Sequence, residues 1–281
     1  VKHIGMARTR GLGLVTMRLE DGDEQECKHV MFPSKQFYDR NKISYTIHLN
    51  STLICKTENG NQAETEDYIA GSKVLGLIAG AMGQTAYREM MSKENMVVSN
   101  AYIKCGQTRC IPGRASWQKE KDQSYDADGK MMIFDLLYEP DCGSRQMTSS
   151  GIDYIADDKK VMTVDTEISY HHQRPEDKSI GRATGNEDGS SFYQLAGISE
   201  GQSFGGFIYA GREVAEKIIE AVGTLKHVRM GYGKSGEFGD VDFTLDSLEE
   251  VCDKNPQDTV KDAVITVLSD LVLYNKQGIL T

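Results

Sequence analysis

Two local patterns in this sequence could do chemistry: a histidine pair among cations, and glycine-rich loops that carry cations. His171 and His172 stand just ahead of Arg174, Lys178 and Arg182. A histidine can move a proton near neutral pH, and basic neighbours can hold a phosphate. General acid–base cleavage of a phosphodiester is therefore one reading of the pair. Contact with RNA is a second, and simple packing at a strand end is a third. Asp153, Asp157 and Asp158 read as a solvated acidic turn. His171, His172 and Asp153 are catalytic candidates only, and no catalytic residue is assigned.

The run Gly231-Tyr232-Gly233-Lys234-Ser235-Gly236 invites two nucleotide-binding readings. A phosphate-binding P-loop ending at Gly233-Lys234-Ser235 needs a glycine at position 228, which is Val228. A dinucleotide fingerprint needs a strand before and a helix after, whereas a helix is expected before this run and a strand after it. Both fail. A glycine-rich loop still offers backbone N–H groups to an anion and lets a phosphate come close. With Lys234 beside it, an RNA backbone is the natural ligand; a tight structural turn is the alternative.

The loop has an echo. Val1-Lys2-His3-Ile4 and Met6 recur as Leu225-Lys226-His227-Val228 and Met230, and the first copy runs into Arg8, Arg10 and Gly11. Tyr45 to Gly60 aligns without gaps on Ala263 to Gly278. Two motifs recurring in the same order point to a repeat. The expected organisation is the loop and strand of a preceding module over 1–20 and a linker over 21–42. A complete module follows over 43–246, with a long insertion at about 104–200, then a linker and first strand of a further element over 247–281. The start, without methionine, reads like the middle of a protein.

A chain of 281 residues with 39% hydrophobic and 26% charged side chains suffices for a buried core. The net charge of −10 argues against nucleic acid in sum. Its distribution points the other way, because segments 1–19, 95–119 and 221–236 carry lysine and arginine with no acid between them. Such islands also fit ordinary solvated loops. The six cysteines lack the paired spacing of a zinc site and read as free thiols of a reducing cytoplasm. No stretch approaches the roughly 18 apolar residues of a membrane span.

Apolar spacing predicts strands at Ile43–Cys55, Met96–Ile103, Ser203–Ala210 and Glu237–Leu245, and helices at Gly71–Met91 and Arg212–Val222. The insertion is expected to be polar loop with short strands at Met131–Leu137 and Val161–Tyr170. Strand–helix–strand followed by strand–helix–strand is the order of a ferredoxin-like α+β module.

A helix, then a basic glycine-rich loop, then the last strand of such a unit resembles the G-loop signature of the RAMP superfamily of CRISPR-associated proteins. Thr65-Glu66-Asp67-Tyr68-Ile69-Ala70-Gly71-Ser72 resembles that family's entry into its first helix, with Ala70 where proline is usual. His171 to Arg174, Arg182 to Gly185, Phe192-Tyr193 and Gly201 to Gly206 follow its next motif in order. The resemblance is greatest to the double-RAMP subunit of subtype III-D effector complexes, which caps the 5′ tag of the guide RNA. It implies tandem ferredoxin-like (RRM-like) RAMP modules in a cytoplasmic antiviral-defence complex. The implied partners are guide RNA, target RNA and other CRISPR effector subunits, with no membrane, no metal and no cofactor. The RNA-binding set would be Arg8, Arg10, Gly11, Lys73, Arg114, His172, Arg174, Arg182, Gly231, Gly233, Lys234, Ser235 and Gly236. The alternative is a metal-independent endoribonuclease of the same fold. It would process guide precursor or cleave target RNA through His171, His172 or an insertion aspartate such as Asp153.

Overall fold

The computed structural model describes residues 39–56, 64–83, 85, 87–88, 96–127, 129–172, 192–234 and 236–251, apart from the side chains of residues 172, 192 and 224. Alternation of apolar residues along Arg40–Leu49 makes the first strand, β1. Helix α1 (Gly71–Met82) follows, then the short strands β2 (Val97–Val98) and β3 (Tyr102–Cys105). The insertion carries β4 (Thr108–Arg109), β5 (Ile111–Pro112), β6 (Trp117–Glu120), β7 (Phe134–Asp135), β8 (Met147–Ser149), β9 (Tyr154–Ile155) and β10 (Val161–Met162). It ends in a hairpin of β11 (Thr166–His172) and β12 (Phe192–Ile198). The chain then returns as β13 (Ser203–Gly211), helix α2 (Arg212–Ala221), β14 (Thr224–Arg229) and β15 (Asp240–Glu250).

The large sheet runs β14–β15–β1–β13–β3–β4, with β2 also pairing β13. Its pairings are antiparallel throughout. In this order the second strand–helix–strand half straddles β1: β13 lies on one side of it and β15 on the other. Ile43, Tyr45, Ile47 and Leu49 share one sheet face with Phe204, Ile208, Val241, Phe243 and Leu245. That face packs against Val74 and Ile78 of α1 and Val214, Ala215 and Ile218 of α2 in one core. Tyr45 stacks on Phe243 with centroids 5.3 Å apart, a favourable aromatic spacing. The opposite face carries Lys42, Ser44, Thr46 and His48 beside Gly205, Phe207 and Tyr209.

Three expectations need correction. The first helix stops at Met82 rather than Met91, because Gly83 takes φ +81°, outside helical space. A strand, β14, and not a helix, leads directly into the glycine-rich loop. Its exposed, polar Lys226 and His227 disguise it as loop, since β14 is an edge strand with a bulge between Leu225 and Val228. The strand expected over Val161–Tyr170 is two strands, of which β11 pairs with β12. The described residues of the insertion thus form three small sheets, β10–β9–β5, β7–β6–β8 and β11–β12.

Candidate nucleic-acid interface

The glycine-rich loop spans the gap between β14 and β15 and lies against residues 52–54. Gly231, at φ +79°, has no room for a Cβ: one would sit 2.9 Å from the Ile54 carbonyl oxygen. At Gly239, φ is +74° and a Cβ would strike the Met230 carbonyl oxygen. Both positions need glycine for backbone approach as well as for handedness. The Tyr232 N–H donates to Ile54 O at 3.1 Å and the Gly239 N–H to Thr52 O at 2.9 Å. Across the turn, the Gly236 N–H donates to Gly233 O at 2.9 Å. These three amides are therefore engaged within the chain.

What the loop presents outward is its tip. Tyr232 is 46% exposed, and Lys56 Nζ lies 3.4 Å over the centre of its ring. Lys234 is exposed beside it. An ammonium on an aromatic face is attracted by the ring quadrupole, so Lys56 holds the phenol outward while staying at the surface. Under the tip, Arg229 Nη1 donates to Phe238 O at 3.1 Å. Phe238 then packs with Ile54 and Leu195 in a second small core.

His171 belongs to that packing. Its ring stacks on Tyr193 with centroids 5.4 Å apart and meets Phe238 edge-on at 5.6 Å. Its Nε2 lies 2.9 Å from Ser169 Oγ in a hydrogen bond. The histidine thus joins the β11–β12 hairpin to the loop, so His171, Gly231, Gly233, Lys234 and Gly236 come together at one end of the sheet.

Other candidates lie elsewhere. Lys73 is in the first turn of α1, close enough to act on Cys55, whose thiol burial pushes up to about 12 against the opposing lysine charge. Arg114 sits in the insertion, paired with Asp135 at 3.3 Å and 5.7 Å from the Trp117 ring centre. Asp153 is exposed just before β9, and its carbonyl accepts the Gly113 N–H at 2.8 Å. Asp158 caps the β9–β10 turn through the Lys160 amide at 3.0 Å. Arg8, Arg10, Gly11, Arg174, Arg182, Ser235 and the side chain of His172 lie outside the described residues. Among the described residues no group of three His, Cys, Asp or Glu is placed to hold a metal ion.

Sequence reasoning did not assemble the open sheet face. Arg109 Nε donates to Gly205 O at 3.0 Å, and its guanidinium lies 4.7 Å from the Tyr102 ring centre and 5.1 Å from that of Phe207. Burial lowers its pKa. Lys42 covers Phe207 at 4.3 Å, and Lys104 bridges to Thr46 at 2.8 Å. Lys104, Arg109 and Phe207 line a concavity of about 560 Å³ together with Asp246 and Glu249, and the acids answer the lysines: Lys104 lies 3.9 Å from Asp246 and Lys42 3.3 Å from Glu249. The available signal was the alternation Gly205, Phe207, Tyr209 along β13, which places aromatic groups on the face away from the helices.

Among solved structures, the chain is similar to one of the Type III-B Cmr-beta bound to cognate target RNA, at 11% identity and TM-score 0.40 over 75% of this chain. It is likewise similar to one of Type III-B Cmr-beta in the apo state, at 11% identity and TM-score 0.39 over 73% of this chain. The match spans 60% of the length of the first of those chains and 96% of the second. No protein-family profile matches the chain, and no curated protein matches it. Among the described residues no helix is long and apolar enough to cross a membrane.

Proposed function

We propose that this chain is a non-catalytic RNA-binding subunit of a type III CRISPR effector complex, holding guide RNA with a ferredoxin-like RAMP module over about 43–246. The observation that carries the reading is the supported loop tip: Tyr232 and Lys234 face solvent on a turn anchored by Ile54, Thr52 and Phe238, with half-buried Lys56 against the Tyr232 ring. An exposed aromatic ring with flanking ammonium groups suits single-stranded RNA, where bases stack and phosphates attract cations. The sheet order, with β15 and β13 flanking β1, supports the ferredoxin-like module. The RAMP-like motifs of the sequence support the family and, more finely, the double-RAMP III-D position at the 5′ tag, with neighbouring effector subunits, guide and target RNA as partners in the cytoplasm.

The setting of His171 favours this reading over the ribonuclease. A ring stacked on one aromatic group and edged by another is placed to support a loop, and its Nε2 is engaged by Ser169.

Fluorescence anisotropy with a labelled single-stranded RNA at two salt concentrations tests the proposal. Phosphate-dependent binding must weaken steeply as salt rises. Absence of binding at low salt, or affinity indifferent to salt, would refute it.

A further inference from the structure

The insertion encloses a second concavity, of about 490 Å³, between the sheet β7–β6–β8, the segment after β6, and the β9–β10 hairpin. That volume falls within the roughly 300–1,000 Å³ of small-molecule sites. Its walls include Trp117 and Tyr125 as aromatic surfaces, Ile133 and Ile155 as aliphatic ones, and Lys130 and Lys159 as cations. Among the described residues the one lining carboxylate, Asp135, accepts the Trp117 indole N–H at 3.1 Å, the Arg114 guanidinium at 3.3 Å and the Leu137 amide at 3.2 Å. It fixes the indole plane, and its charge is answered within the chain.

Lys159 adds a separate clue. It turns the β9–β10 hairpin at φ +66°, a left-handed conformation that glycine or asparagine would adopt more readily. A lysine there gives up backbone ease while setting an ammonium at the cavity.

Flat aromatic walls with two ammonium groups match a planar base carrying a phosphate better than an aliphatic or a cationic ligand. We propose that this cavity takes one nucleotide of a single-stranded RNA, its base against Trp117 and Tyr125 and its phosphate against Lys130 and Lys159. The inference rests on the RNA-binding reading and adds a base-holding site separate from the glycine-rich loop.

Trp117 is the single tryptophan of the chain, so its fluorescence reports the cavity directly. Wild-type protein is titrated with nucleoside 5′-monophosphates, with a short RNA oligomer and with inorganic phosphate. Saturable quenching by the nucleotides and the oligomer is expected, with little from phosphate alone. Tyr125→Ala and Lys159→Gly should each weaken the quenching isotherm about tenfold, as loss of one stacking or charge contact implies. Lys159→Gly relieves the left-handed backbone, so its loss of binding does not stem from a weakened fold. RNA binding seen by anisotropy with Trp117 unperturbed would overturn the cavity assignment alone. So would both variants titrating like wild type, or quenching by an acidic aromatic peptide but not by nucleotides. Mononucleotide quenching in a protein that binds no RNA would overturn the RNA source, and with it the function proposed above, while the nucleotide chemistry of the cavity would stand.

Discussion

The imidazole of His171 meets the Phe238 ring edge-on with centroids 5.6 Å apart, so the hairpin that ends the insertion braces the glycine-rich loop from below. In this setting the histidine's shape matters more than its proton. His171→Ala should destabilise the fold by about 1–2 kcal/mol, the scale of two lost aromatic contacts. His171→Phe should restore both stability and RNA affinity. Denaturant unfolding and anisotropy check the pair. A phenylalanine variant that is stable yet has lost a cleavage activity present in wild type would make His171 catalytic instead.

The two reasons for glycine separate at Gly201 and Gly239. Both have positive φ, +82° and +74°, but a Cβ on Gly201 meets open space while one on Gly239 strikes the Met230 carbonyl oxygen. Gly201→Ala should cost about 1–2 kcal/mol, the left-handed penalty alone. Gly239→Ala should cost well over about 3 kcal/mol, since backbone must also move. Equal losses in chemical denaturation would contradict the close packing assigned to the loop.

The edge strand behind the loop carries an acid-sensitive contact. Burial alone would raise the Asp242 pKa. Its ion pair with Lys226 at 2.7 Å, the His227 amide at 3.0 Å and Asn50 at 3.0 Å prevail and lower it from 3.8 to about 2. A carboxyl depressed in the folded state binds fewer protons than in the unfolded chain between those values. Its stabilising effect is therefore full above about pH 4 and is lost as pH falls towards 2. Asp242→Asn should flatten stability against pH across that window. An unchanged acid limb in the variant would contradict the contact.

Much of the main sheet was legible because its strands bury one face only. Alternation in Ile43–Leu49 and Val241–Leu245 marks that face, and the amphipathic spacing of Val214, Ala215 and Ile218 marks α2. The edge strand β14 was not legible, because both faces of Lys226-His227 are wet and periodicity has nothing to report. In the insertion, β7 and β10 fall within the expected short strands, whereas the other two-residue strands are too short for periodicity to mark. Of the candidate site, the loop glycines and His171 stood out by residue type. Lys56 over Tyr232 did not, since the two lie 176 positions apart and only the fold joins them. The Arg109 stack on Tyr102 and Phe207 was hidden likewise, because it forms across three strands.

The proposed function requires the tip of the glycine-rich loop to touch RNA. Ultraviolet cross-linking of bound single-stranded RNA, followed by mass spectrometry of the peptides, tests it at residue level. A nucleotide adduct is expected on the peptide bearing Tyr232, lost together with most of the affinity in a Tyr232→Ala, Lys234→Glu double variant. Adducts confined to other peptides, with affinity unchanged in that variant, would contradict it.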